Sequence, residues 1–144
     1  MGSGNAECGM RSEKVQIQDA GLKKRTKLFA LQVIRAVARL PRNRTTDVIA
    51  RQLLRCGMSV GANYRASCRA NSQADFIAKM GIVEEEADES IYWMELLIES
   101  GEVPPKELTD LLDEANQIVA MTVASIKTAR RSGVPRNAAM AVPR

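Results

Sequence analysis

Small and apolar side chains recur at alternating steps of four and three residues along most of the chain. Three such runs are Ile49, Leu53, Cys56, Val60, Asn63 and Ser67; Phe76, Met80, Val83, Ala87, Ser90, Met94 and Leu97; and Leu108, Leu112, Ala115, Val119, Thr122 and Ile126. Heptad seams of this length pack helices at shallow crossing angles. The sequence offers neither alternating β-branched residues nor Asn-Gly turns that would indicate strands. We therefore predict an all-α protein with an antiparallel up-down-up-down four-helix bundle.

The residues that begin and end helices divide this bundle into four segments. Pro41 ends the first segment, while Ser72 and Asp75 have the spacing of a capping box at the start of the third. Gly101 suits a C-terminal stop, and Pro105 suits a first helical position, where its missing amide costs nothing. The predicted helices cover 23–40, 45–70, 72–101 and 105–130. The bundle as a whole is assigned to 23–131, between a flexible N-terminal extension at 1–22 and a flexible basic tail at 132–144.

The absence of histidine is the most informative feature of the composition. Without histidine, Ser-His-Asp and Cys-His nucleophile activation are excluded, as are the Glu-x-x-His di-metal sites of many bundles. The segment EEEADES at 84–90 has carboxylates at spacings that would suit a divalent metal. A solvated or salt-bridged acidic face is the favoured interpretation, because nothing supplies a nitrogen ligand. We predict no catalytic residue, no cofactor and no metal site.

The cysteines and the apolar runs indicate a cytoplasmic protein. Cys8, Cys56 and Cys68 show no Cys-x-x-Cys spacing, and their odd number without a secretory leader argues against a disulfide framework. No apolar run approaches the roughly 18 to 20 residues that a membrane-spanning helix needs. A reduced compartment and no membrane role are expected.

Charge is distributed unevenly along the chain. Residues 11–70 contain fourteen Lys and Arg against three Asp and Glu, whereas residues 71–116 contain thirteen Asp and Glu against two Lys. Such an asymmetry predicts either a basic surface for a polyanion or complementary surfaces that meet.

Four arginines of the second segment, Arg51, Arg55, Arg65 and Arg69, fall within about 80° on a helical wheel. The heptad seam of the same segment lies opposite, so these arginines are predicted to point away from the core of their own subunit. Three interpretations stay open at this point: a solvated charged face, a nucleic-acid contact, or one half of a protein contact.

The nucleic-acid interpretation is electrostatic. The candidate cations are Lys23, Lys24, Lys27, Arg35, Arg39, Arg51, Arg55, Arg65 and Arg69. They would neutralise phosphates and give salt-sensitive binding that is largely independent of sequence. Stacking platforms for single strands need aromatic side chains, and only Tyr64 lies near the basic stretch.

The protein-contact interpretation rests on apolar and small residues beside the arginines. Met58 falls among them, and arginine and methionine are both enriched at protein interfaces. Gly57 and Gly61 weaken a helix by about 1 kcal/mol each relative to alanine, so a closely approaching helix is expected there. The candidate interface residues are Leu54, Gly57, Met58, Gly61, Ile82 and Trp93. Basic and acidic flanks of neighbouring subunits would then meet in a closed ring.

Several blocks of sequence carry a resemblance to a known family. They are QLLRCGMSVGANYRA from Gln52, SQADF from Ser72, IVEEEADES from Ile82 and YWMELL from Tyr92. In order and spacing they resemble the four-helix-bundle proteins encoded in intervening sequences of bacterial 23S ribosomal RNA genes, over roughly 26–128. The accessory variability determinant of diversity-generating retroelements is similar as well.

The resemblance implies an up-down bundle, a cyclic homopentamer and no established catalysis. It also implies a basic surface that binds nucleic acid or, in the retroelement branch, a reverse transcriptase. The matching positions are Gln52, Arg55, Ser59, Asn63, Arg65, Phe76, Glu86, Asp88, Tyr92 and Trp93. The leading hypothesis is therefore a noncatalytic oligomer that binds RNA or DNA through its basic face. The alternative is an assembly scaffold whose arginines serve the subunit interface without nucleic acid.

Overall fold

The computed structural model describes residues 21–132, which form four helices and, within that range, no strand. The helices are α1 (Leu22–Ala38), α2 (Arg44–Cys68), α3 (Gln73–Glu99) and α4 (Pro105–Ser132). Each agrees with a predicted segment to within about two residues, so the all-α prediction is confirmed. Nearly all of the predicted N-terminal extension and basic tail lies outside the described residues. None of the four helices is long and apolar enough to cross a membrane.

The helices are arranged in a square in which each contacts two neighbours. α1 packs on α2, α2 on α3, α3 on α4, and α4 on α1. The diagonal pairs, α1 with α3 and α2 with α4, do not make contact. Because short connections join consecutive neighbours, their directions alternate up and down. The contact between α4 and α1 is the least extensive of the four.

The predicted seams form the core. Every seam position of α2 and α3 is buried except Asn63 and Phe76, which are half-buried. In α4 the buried face is wider than the predicted seam, because this helix packs on both α3 and α1. Leu111 and Ile118 are buried there, whereas the predicted Leu112 and Val119 are half-buried.

The ends of the helices follow the predicted signals, with one difference at the start of α2. The Ser72 hydroxyl accepts from the Asp75 amide at 3.0 Å, and the Asp75 carboxylate accepts from the amide of Asn71 at 3.2 Å. Gly101 ends α3 with φ of 82°, which favours glycine. α2 begins slightly earlier than expected, because the Asn43 side chain accepts from the Thr46 amide at 2.9 Å.

Two glycines of α2 bring α1 and α2 close together. A Cβ atom at Gly57 would lie 2.9 Å from Cγ2 of Val33, and one at Gly61 would lie 3.3 Å from the Thr26 carbonyl. The predicted close approach is therefore present, but the approaching helix belongs to the same chain. Because α1 covers the side on which each glycine lacks a side chain, this close approach needs no second subunit. The assignment of Gly57 and Gly61 to a subunit interface stays a prediction.

A buried arginine joins α1 to α4. Arg25 is only 4% exposed, and its guanidinium pairs with Glu114, which accepts from Nε at 3.2 Å. It also donates to the side-chain amide oxygen (Oε1) of Gln117 at 2.7 Å and contacts the Met121 sulfur at 3.1 Å. Sequence reasoning counted Arg25 only as a surface charge. Its place on the apolar side of α1, between Leu22 and Phe29, was the signal that would have identified it.

We predict that Gly57→Ala destabilises the protein, because its new methyl group meets the β-branched side chain of Val33 at van der Waals overlap. The free energy of unfolding should fall by about 1–3 kcal/mol in urea titration. Gly81→Ala is the matched control in α3, where nothing lies within 4 Å of the added Cβ. It should stabilise by up to about 1 kcal/mol from helix propensity alone. Equal effects of the two substitutions would contradict this account of the α1–α2 contact.

We predict that Glu114→Gln lowers the free energy of unfolding by about 3 kcal/mol, because it removes the carboxylate charge that pairs with the buried guanidinium of Arg25. The double variant Arg25→Met with Glu114→Leu should recover most of that loss, since apolar pairs of similar volume replace buried ion pairs well. Arg42→Gln is the control, because its pair with Asp47 is exposed and worth under about 1 kcal/mol. Chemical denaturation of the four proteins decides the point.

Candidate nucleic-acid interface

The arginines of α2 point outward, as predicted. Arg51, Arg55, Arg65 and Arg69 are all exposed, while the seam on the opposite side of α2 is buried. The geometry on which the binding hypothesis depends is therefore present.

Arg55 differs from the other three because two carboxylates of α3 hold it. Its guanidinium pairs with Glu89 and with Glu86 at 3.4 Å, and its Nε donates to Gln52 at 3.2 Å. The side chain is still half exposed. Its charge is thus largely matched within the subunit, and Arg55 ties α2 to α3 more than it offers a free cation.

Arg51, Arg65 and Arg69 form no ion pair with any residue between 21 and 132. The lysines of α1, Lys23, Lys24 and Lys27, are likewise exposed and unpaired within that range. These six cations are the part of the predicted set that is available to an external anion.

Arg35 and Arg39 lie on the part of α1 that faces α4. They line a shallow groove of about 280 Å³ together with Glu107 and Asp110. Because carboxylates face them across this groove, the surface there is mixed rather than basic. The neighbouring carboxylates thus distinguish these two arginines from the remaining candidate cations.

The apolar candidates divide as well. Met58 is exposed at 44% among the arginines, and Ile82 is exposed on α3, while Leu54 is half-buried against the core. Trp93, also a candidate interface residue, is half-buried against the core, and its indole N–H donates to Glu89 at 3.2 Å. The exposed aromatic residue is its neighbour Tyr92, whose ring meets that of Trp93 edge to face at 5.1 Å.

Three further large apolar side chains are exposed that sequence reasoning did not single out. They are Leu31 and Ile34 on the outer side of α1 and Val48 near the start of α2. Leu31 and Ile34 fall between the lysines and arginines of α1, opposite its buried stripe, which is the sequence signal that would have revealed them. Their exposure extends the mixed apolar and basic surface of α2 onto α1.

Burial perturbs the thiol and carboxylate groups near Arg55. Burial raises the pKa of the Cys56 thiol, whose sulfur accepts from the Ser90 hydroxyl at 3.2 Å, so this cysteine is a poor nucleophile. Burial also raises the pKa of Glu86, with Glu89 adding to the effect and Arg55 opposing it. Among residues 21–132, no three Cys, Asp or Glu side chains converge to hold a metal ion.

Comparison with known proteins places this geometry in a family. The family model for 23S rRNA-intervening sequence proteins matches residues 18–124. The chain is also similar to a protein of unknown function from the S23 ribosomal protein family of Bacteroides thetaiotaomicron VPI-5482, whose crystal structure is known at 1.70 Å. The two share 32% identity and a TM-score of 0.70 over 74% of this chain and 99% of that one. No curated protein matches the chain.

The raised pKa of Glu86 predicts a pH dependence. Since the folded protein binds this proton more tightly than the unfolded chain does, the stability contributed by Glu86 falls as pH rises through the interval above its usual pKa of 4.5. Glu86→Gln should therefore gain thermal stability relative to the parent protein between pH 4 and pH 7.

Asp75→Asn is the control with the opposite sign. A hydrogen bond from Lys79 lowers the pKa of Asp75, so this carboxylate stabilises the fold above its usual pKa of 3.8 and loses that effect in acid. Thermal unfolding across pH 2 to 7 should show the two variants diverging from the parent in opposite directions.

Proposed function

The chain belongs to the family of 23S rRNA-intervening sequence proteins, and from this premise we propose that it is a noncatalytic oligomeric bundle that binds nucleic acid through its basic surface. The observation that carries the proposal is the set of exposed guanidinium groups on α2 that no carboxylate of the described residues neutralises. RNA or DNA phosphates are the polyanions that such a surface fits.

Binding of this kind is largely independent of sequence. Stacking of single-stranded bases needs aromatic rings beside the cations. Tyr64 is half-buried, and Tyr92, although 53% exposed, lies on α3 among carboxylates. Affinity would therefore come from phosphate contacts and fall steeply with salt.

A second candidate function, an assembly scaffold, is favoured by the exposed apolar side chains. Ile34 and Met58 lie within the basic surface of α1 and α2, while Ile82 and Tyr92 lie on α3. The outer side of α3 carries the exposed carboxylates Glu85, Asp88, Glu95 and Glu99. Basic and acidic surfaces that both contain apolar residues are complementary. The basic surface of one copy of the chain would therefore fit the acidic surface of a second copy.

The remaining expectations come from the family resemblance and, for the cytoplasmic setting, from the cysteine pattern. A cyclic homopentamer, a protein partner such as a reverse transcriptase, and a cytoplasmic setting stay predictions. The first of these decides how many copies of the basic surface act together, since linked sites bind a long polyanion more tightly than one site does.

The proposal predicts that Arg51, Arg65 and Arg69 contact phosphates. The triple change of these residues to Gln should lower the salt slope of single-stranded RNA binding by about 2, at about 0.7 for each lost phosphate contact. Fluorescence anisotropy with a 20-nucleotide mixed-sequence RNA at a series of KCl concentrations measures this slope. The triple change to Lys is the matched control and should keep most of the slope, because it retains the charges.

Light scattering of the same proteins separates the two candidate functions. Loss of RNA affinity with unchanged mass supports nucleic-acid binding. The opposite result has two parts: the parent protein does not bind RNA, and the oligomer of the Gln variant dissociates. That result supports the scaffold and overturns the nucleic-acid proposal.

A further inference from the structure

Antiparallel folding brings four separate stretches of the chain to one end of the bundle. The Ser67 hydroxyl near the end of α2 contacts the Met80 sulfur near the start of α3 at 3.3 Å. Gly61 packs on Thr26 near the start of α1, and the Gln73 side chain donates to the Ala129 carbonyl near the end of α4. The starts of α1 and α3 therefore meet the ends of α2 and α4.

This end of the bundle is strongly basic. The described stretches 21–24, 64–82 and 120–132 hold eight Lys and Arg and one Asp, which is Asp75. The cations are Lys23, Lys24, Arg65, Arg69, Lys79, Lys127, Arg130 and Arg131. We call this set the basic end.

The opposite end is balanced. There the Asn43 side chain donates to Glu102 at 2.9 Å, which joins the α1–α2 connection to the α3–α4 connection. Residues 34–54 and 93–110 together hold six Lys and Arg and six Asp and Glu. Charge is thus polarised along the bundle axis, a property that the linear order of charges conceals.

Nearly all cations of the basic end are available. Lys79 pairs with Asp75 at 2.9 Å. The other seven are exposed and form no ion pair within residues 21–132. Like charges gathered at one surface repel each other, so a polyanion bound there relieves that repulsion.

Helix-terminus electrostatics account for only part of this arrangement. Cations near the ends of α2 and α4 complement the negative C-terminal dipole. Lys23 and Lys24, however, lie in the first turn of α1, where no acidic residue and no side-chain cap offset them. They oppose the dipole there, so local helix stability does not explain their position.

We propose that the basic end is where nucleic-acid phosphates bind, and that Lys127, Arg130 and Arg131 of α4 are binding residues. This inference rests on the proposed function and refines it. Arg65 and Arg69 belong to the basic end, whereas Arg51 belongs to the balanced end and contributes less. The α4 residues were absent from the sequence-based set because only the fold brings the end of α4 to the same end of the bundle as the end of α2.

The test uses the full chain and the same labelled 20-nucleotide RNA. Changing Lys127, Arg130 and Arg131 to Gln should lower the salt slope by about 2 and the affinity at 0.1 M salt about a hundredfold, at about 0.7 for each phosphate contact. The control changes Arg42, Arg44 and Lys106 to Gln, which removes the same charge from exposed positions at the balanced end. It should lower the affinity far less.

A second pair of variants keeps the test independent of any one helix. Arg65→Gln with Arg69→Gln should weaken binding much more than Arg51→Gln with Arg44→Gln, and circular dichroism verifies that each variant is folded. Equal losses at the two ends would overturn the basic end as the site while leaving nucleic-acid binding intact. A parent protein that binds no RNA at low salt would overturn the proposed function itself.

Discussion

Burial of the four apolar seams against one another is the constraint on which the rest of the structure depends. Heptad spacing holds each seam on one side of its helix, and short connections make neighbours antiparallel. This arrangement decides which residues meet. It sets Gly57 over Val33, and it brings Arg25 of the short helix α1 to Glu114 in the least extensive contact of the bundle. The buried Arg25–Glu114 ion pair lies at that contact, and a shift of α1 along α4 would separate two charges that burial keeps from water.

The sequence was sufficient for the helices, the seams and the outward direction of the α2 arginines, because all three follow from local periodicity. It was insufficient wherever the answer depended on what lies across a helix. Spacing showed that Gly57 faces another helix. The helical-wheel position of Gly57 is the same whether that helix belongs to its own chain or to another subunit, so the sequence could not distinguish the two. Trp93 likewise sits at the edge of its seam, where the width of the buried face depends on the neighbouring helix. From the sequence, Arg35 and Arg39 were predicted to belong to a basic face. In the structure, Glu107 and Asp110 of α4 lie across a groove from them.

Charge illustrates the same limit on a larger scale. Along the chain the first half is basic and the second half acidic, which suggests that α1 and α2 oppose α3 and α4. The fold retains this difference in charge between the two pairs of helices. Arg55 of α2 pairs with Glu86 and Glu89 of α3 at the contact between the pairs. The fold also creates a contrast along the axis, because most of the described cations of the acidic half, such as Lys127 and Arg130, lie near the end of α4. Antiparallel packing then adds them to the cations of the basic half.

The two candidate functions need not compete for one surface. Phosphate contacts require solvent-exposed cations, and these are concentrated at the basic end. Subunit contacts require apolar area, and five of the six exposed large apolar residues lie outside the basic end, with Ile82 as the exception. Assembly through the flanks of α1, α2 and α3 would leave the bundle ends uncovered. If the subunits are related by an axis parallel to their helices, the basic ends would gather on one side of the assembly. A weak electrostatic contact per subunit would then become a multivalent one, because a long phosphate chain spans several copies at once.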